Sequence, residues 1–84
     1  MYYVYVLKSR VDGHTYIGYS SDLKKRFESH NKGENKSTKH RIPFELIYYE
    51  AYKTETDARR REQELKNNNY QKEQLLKRIN GSLK

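Results

Sequence analysis

Aromatic and β-branched residues crowd the start of the chain, and Tyr2 to Lys8, YYVYVLK, has the composition of a strand. A second alternation follows, in which a strand through Tyr16-Ile17-Gly18-Tyr19 puts Ile17 and Tyr19 on one face and Tyr16 and Gly18 on the other. Asp12-Gly13 between them is a hairpin signal, and pairing about that turn sets Tyr5 opposite Ser20 and Leu7 opposite Gly18. Tyr3, Tyr5 and Leu7 then share a sheet face with Tyr16, Gly18 and Ser20. Tyr5 and Tyr16 are then four positions apart along the strands, on the order of 13 Å between backbones, and share a surface that only twist or a bulge would tighten. Gly18, with no side chain, leaves the face open.

Ser20, Ser21 and Asp22 are helix starters, and after them Leu23 and Phe27 stand four apart, as do Arg26 and His30. Leu23 and Phe27 can pack on the sheet. Arg26 and His30 stack one turn apart beside that seam, which suits a phosphate site, although a solvated helix face accounts for them equally well. Residues 32–43, KGENKSTKHRIP, predict a mobile loop with little to bury, and Lys32, Lys36, Lys39, His40 and Arg41 make it a candidate phosphate-gripping arm. A third strand is expected at Phe44 to Tyr52. Thr54-Glu55-Thr56-Asp57 supplies capping residues and early acids for a helix running to about Lys66, Asn67 to Asn69 mark a break, and a further helix begins near Tyr70 with Leu75, Leu76 and Ile79 on one face and Gly81 as terminator.

On the first of these later helices, Ala58, Glu62 and Leu65 fall on one stripe, so Glu62 points toward the sheet. A half-buried carboxylate needs a partner. A salt bridge to Arg26 or Arg61 would satisfy it, and so would Mg²⁺, a hard cation commonly held by one or two carboxylates together with waters and phosphate oxygens.

Composition narrows the class. Over 84 residues, 33% hydrophobic content allows one domain, residues 1–84, with a modest core, and nine tyrosines point to a core rich in phenols. Eighteen Lys and Arg against eleven Asp and Glu leave +7, which favours a polyanionic partner such as nucleic acid. There is no cysteine, so disulfide frameworks and cysteine-ligated zinc are excluded. The apolar run Tyr2 to Leu7 is far shorter than the roughly 20 residues of a membrane span and has no signal-peptide character, so the expected location is cytoplasmic.

Val4-Tyr5 in the first strand, Tyr16-Ile17-Gly18 in the second, Arg26 and His30 on the helix and Glu62 on the later helix together resemble the GIY-YIG nuclease superfamily. The likeness covers nearly the whole chain. It is closest to small stand-alone members, which resemble the nuclease domain of the bacterial excision-repair incision subunit. The first motif here reads Tyr3-Val4-Tyr5, with the initial glycine and isoleucine replaced and the tyrosine kept; the second is intact. The resemblance implies an α+β fold, a small three-stranded antiparallel sheet flanked by helices, in agreement with the order of elements above. It implies hydrolysis of a nucleic-acid phosphodiester with one divalent metal, Mg²⁺ or Mn²⁺. Glu62 would hold the metal, and Arg26 would stabilise charge on the scissile phosphate. Tyr5 would be general base or water-positioning group, His30 would relay a proton or orient the phenol, and Tyr16 would bind near the attacking water. Lys25, Lys36, Lys39, His40 and Arg41 are the candidate nucleic-acid contacts.

The leading expectation is therefore a metal-dependent DNA endonuclease, directed by structure rather than sequence or targeted by a partner protein, with a place in repair or recombination. The alternatives are a non-catalytic module binding DNA or RNA, and a protein-interaction domain using its tyrosine surface.

Overall fold

A computed structural model describes residues 1–83; Lys84 lies outside the described residues. The chain forms β1 (Tyr2–Ser9), β2 (Thr15–Ser20), α1 (Leu23–Asn31), β3 (Phe44–Tyr52), α2 (Glu55–Asn67), α3 (Asn69–Arg78) and α4 (Asn80–Leu83). The three strands make one antiparallel sheet in the order β2-β1-β3. With β1 central, alternate residues of one strand are buried against both layers of helix. Val4, Val6 and Ile17 join Ala58, Leu65, Leu75 and Ile79 under α2 and α3. On the other face Tyr5, Leu7 and Phe44 pack with Tyr16, Leu23 and Phe27, which brings in α1. These are the faces that the alternation predicts, and no helix among the described residues is long and apolar enough to cross a membrane.

The hairpin register differs from the expected one by two residues. Tyr3 faces Ser20, Tyr5 faces Gly18 and Leu7 faces Tyr16. The cause is the turn. Within the turn only Gly13 has positive φ, at 74°, so Asp12 does not adopt the conformation a two-residue type I′ turn requires. Instead the Gly13 amide donates to Ser9 O and the Ser9 amide to His14 O, each at 2.9 Å, closing a longer loop. The Ser9 hydroxyl, fully buried, accepts from the amides of Val11 and Asp12 and donates to Arg41 O at 2.6 Å. A two-residue shift preserves every face, and it halves the offset between Tyr5 and Tyr16.

Helix starts follow their caps: Asp22 accepts from the Lys25 amide, Thr54 from Asp57 and Asn68 from Gln71. The expected break at Asn67 to Asn69 reduces to Asn68, which ends α2 and caps α3. Gly81 does not terminate α3; that helix stops at Arg78, and Gly81 lies inside α4. The segment expected to be a loop with little to bury contains a 3₁₀ turn at Lys39–Arg41, and Thr38 just before it is buried.

α2 is tied to β3 by a polar cluster. Glu50 accepts from Tyr48 at 2.7 Å, Tyr52 at 2.5 Å and Arg61 Nε at 2.9 Å, while Arg61 Nη1 donates to Glu64 at 2.5 Å. Burial pushes the Glu50 carboxyl up, but hydrogen bonds from Arg61, Tyr52 and Tyr48 outweigh it and hold its pKa below the ordinary 4.5. Burial and the same carboxylate push both phenols up to about 12. A depressed folded-state pKa contributes stability that is present above the unfolded value and lost as pH falls. Arg61→Met should therefore cost roughly 2 kcal/mol in urea unfolding at pH 7, below the 3–5 of a fully buried pair. The penalty should shrink when Glu50→Gln is added, and Glu50→Gln alone should flatten the loss of stability below about pH 4.5.

Candidate active site

Gly18 organises the site through what it lacks. A Cβ placed there would lie 2.4 Å from both Cζ and Oη of Tyr5, so the phenol ring occupies the space that the sequence suggests is open. From that position the Tyr5 hydroxyl reaches Nε2 of His30 at 3.0 Å. The helix periodicity of α1 delivers His30: Leu23 and Phe27 pack on the sheet, and His30, one position short of a further full turn, points inward and is 1% exposed.

The other ring nitrogen of His30 meets Thr38 Oγ1 at 3.1 Å, and the Thr38 hydroxyl donates onward to Asn35 O over a long 3.5 Å. With the Thr38 hydroxyl directed at that carbonyl, the arrangement that gives every group a partner has Nδ1 protonated and Nε2 accepting from Tyr5. Around this chain the rings of Tyr16, Tyr5 and Phe44 lie edge-on to His30, with centroids at 5.0, 5.9 and 5.9 Å. The Tyr5 and Tyr16 ring centroids are 6.4 Å apart, with the two residues offset by two positions rather than the expected four.

Electrostatics agree with a neutral chain. Burial pushes the Tyr5 phenol well above its ordinary value, Tyr16 and Glu62 add to the effect, and Arg26 opposes it without prevailing. Tyr5 thus keeps its proton at neutral pH. Burial also lowers the His30 pKa below 6.5, and the Arg26 guanidinium lowers it further. Arg26 is exposed on α1 and takes part in none of the ion pairs among the described residues. It shares a cleft beside Ser20 with Lys25, Ser29 and Lys32 and with the acids Asp22, Glu28 and Glu34.

Glu62 lies between Ala58 and Leu65 on the inner stripe of α2, its side chain 16% exposed. Its partner is neither Arg26 nor Arg61. Oε2 pairs with Lys66 one turn on, at 3.1 Å, and the Lys66 ammonium sits 5.9 Å from the Tyr16 ring centre at the β2 edge. Glu62 therefore reaches the neighbourhood of Tyr5 and Tyr16 from across that edge. No group of three His, Cys, Asp or Glu among the described residues could cage a metal, but a single carboxylate fits an ion that takes its other ligands from water and phosphate.

The loop residues separate. Lys36, Lys39 and His40 are exposed, whereas Arg41 donates to Asp12 at 3.0 Å and lies over the Phe44 ring at 5.5 Å. Arg41 thereby fastens the loop to the hairpin. Thr38 and Lys66 belong to the site without any sequence signal beyond the i,i+4 spacing of Glu62 and Lys66.

Between its folded and unfolded pKa, His30 binds more protons in the unfolded chain, so the stability it confers is complete above about pH 6.5 and declines as pH falls. Titration of His30 by NMR should give a pKa below 6.5, and Arg26→Met should raise it only part of the way, because burial remains. Gly18→Ala should cost about 1–3 kcal/mol by overpacking and detach Tyr5 from His30.

Comparison with known proteins places these features. The model of the GIY-YIG catalytic domain family matches residues 1–78. A UPF0213 protein of Staphylococcus saprophyticus is 41% identical over 76 residues, covering 89% of this chain and 92% of the relative. One from Staphylococcus aureus is 42% identical with the same coverage. The solution NMR structure of a UPF0213 protein from Bacillus halodurans superposes with a TM-score of 0.58 at 38% identity, over 92% of this chain and 84% of that one.

Proposed function

The chain belongs to the GIY-YIG catalytic domain family, and on that premise we propose that it is a divalent-metal-dependent endonuclease acting on DNA, with Tyr5, Tyr16, Arg26, His30 and Glu62 as its working residues. Membership supports a nuclease-like activity in general. The observation that carries the finer reading is the buried hydrogen bond from Tyr5 to a neutral His30, within electrostatic reach of both Arg26 and Glu62.

A phenol held protonated by burial is a poor base by itself. Its oxygen can nevertheless accept a proton from an attacking water while its own proton passes to His30 Nε2, which is unprotonated and aligned to receive it. His30 then holds the proton while Nδ1 stays bonded to Thr38. Tyr16, beside both groups, orients the water. As the water oxygen bonds to phosphorus and the bond to the leaving nucleoside oxygen breaks, Arg26 faces the growing negative charge with a permanent cation that can grip two oxygens. A divalent ion at Glu62 would supply Lewis-acid stabilisation of the same phosphate. Lys66 pairs with that carboxylate. Lys25, Lys36, Lys39 and His40 would carry flanking phosphates.

Cleavage of single-stranded, duplex, flapped and four-way-junction DNA and of RNA, with Mg²⁺, Mn²⁺ or chelator, tests this reading. Metal-dependent cutting is expected, and Tyr5→Phe, Arg26→Ala and Glu62→Ala should each lower it by roughly 10²- to 10⁴-fold while circular dichroism stays native. The rate should fall on acidification through the depressed His30 pKa, because an imidazolium cannot accept from Tyr5. Salt-sensitive binding with no cutting on any substrate would instead assign a non-catalytic nucleic-acid-binding module.

A further inference from the structure

On the side of α1 away from the Arg26 cleft, the helix and β3 enclose a groove lined by Tyr3, Leu23, Phe27, Leu46 and Tyr49, with Lys24 at its rim. Tyr49 is 53% exposed although it lies in the middle of a strand, and Tyr3 stands edge-on to it at 6.0 Å. An open aromatic face in a groove is not required by the core, which closes beneath it through Tyr5, Leu7 and Phe44.

Charge tells what suits this groove. Seven ion pairs are present among the described residues, and none involves Lys24, Lys25, Arg26, Lys32, Lys36 or Lys39. All six lie on α1 and the segment after it, and the first turn of α1 contains no acid. Asp22, which borders both the groove and the Arg26 cleft, is held by the Lys25 amide as the helix cap. The two recesses therefore meet at the start of α1 with unpaired cations along the path between them.

We propose that the α1–β3 groove is a stacking platform for an unpaired base, with Tyr49 as the contacting face and Tyr3 bracing it, on the same strand whose phosphate lies at Arg26. This rests on the nucleic-acid reading above and narrows its substrate class to nucleic acid with a single-stranded segment beside the cut. A base inside a duplex has both faces covered by stacked neighbours, whereas an unpaired base in a single-stranded segment can turn its face to a tyrosine. Stacking on aromatic rings tolerates any base and needs cations only for the backbone, and the groove provides both. A peptide would find apolar walls here but no reason for the excess of these six cations over Asp22, Glu28 and Glu34.

The test is binding, run in chelator so that cutting plays no part. Oligothymidylate containing one 2-aminopurine, and a duplex of equal length, are titrated with wild type, Tyr49→Ser and Tyr49→Phe, with native circular dichroism confirmed for each. Tyr49→Ser should weaken single-strand affinity roughly 5- to 150-fold, the loss of one stacked base, leave duplex affinity unchanged and abolish quenching of the 2-aminopurine; Tyr49→Phe should behave as wild type. Equal weakening on both ligands, no weakening on either, or wild-type binding without 2-aminopurine quenching at any position along the strand would overturn the proposal. So would Tyr49-dependent self-association in sedimentation, which assigns the groove to a second copy. Loss of the endonuclease reading with Tyr49-dependent single-strand binding intact would leave the platform standing.

Discussion

The contact between the Tyr5 ring and the backbone of Gly18 is the constraint on which the site depends. A side chain at residue 18 would collide with the phenol at 2.4 Å, and only its absence lets a large aromatic lie in the sheet face with its hydroxyl at His30. From that one bond the order spreads outward. His30 must turn its second nitrogen to an acceptor, because an unpaired polar atom buried this deeply is costly. Thr38 is that acceptor, and burying Thr38 folds the middle of the loop down onto α1. Among the described residues no buried side-chain nitrogen or oxygen is left without a partner.

Charge is handled differently on α2 and α1. On α2 every basic side chain has an acidic partner: Arg61 binds Glu50 and Glu64, Arg59 pairs with Glu55, Arg60 with Asp57 and Lys66 with Glu62. On α1, Lys24, Lys25 and Arg26 form no ion pair among the described residues, and neither does Glu28. The pair between Arg61 and Glu50 fixes α2 to the sheet and so sets where Glu62 emerges at the β2 edge. A net charge of +7 says nothing of this difference between the two helices.

Much of the fold can be read in the chain because period and punctuation agree. Alternation in YYVYVLK and TYIGYS assigns the faces, Asp22 and Thr54 start the helices, and Ala58, Glu62 and Leu65 form the inner stripe as expected. The hairpin register could not be read, since Asp-Gly signals a turn without saying whether Asp12 or only Gly13 takes positive φ, and the buried Ser9 hydroxyl decides the longer loop. Gly18 was legible as a gap but not as a gap filled by Tyr5. Thr38 was hidden by its neighbours: a threonine in a lysine-rich loop has no periodicity to mark it as buried. Arg41, one of five basic loop residues in sequence, is distinguished only by Asp12 and Phe44 closing on it from elsewhere in the fold.

Proton transfer through Tyr5 and His30 turns on the direction of one buried hydrogen bond, and nitrogen-15 NMR of His30 at neutral pH reads it directly. A neutral ring protonated at Nδ1, with Nε2 bare and coupled to the Tyr5 hydroxyl, is the predicted state. A ring protonated at Nε2, or an imidazolium, would make Tyr5 an acceptor with no route for its proton and would contradict the role given to the pair.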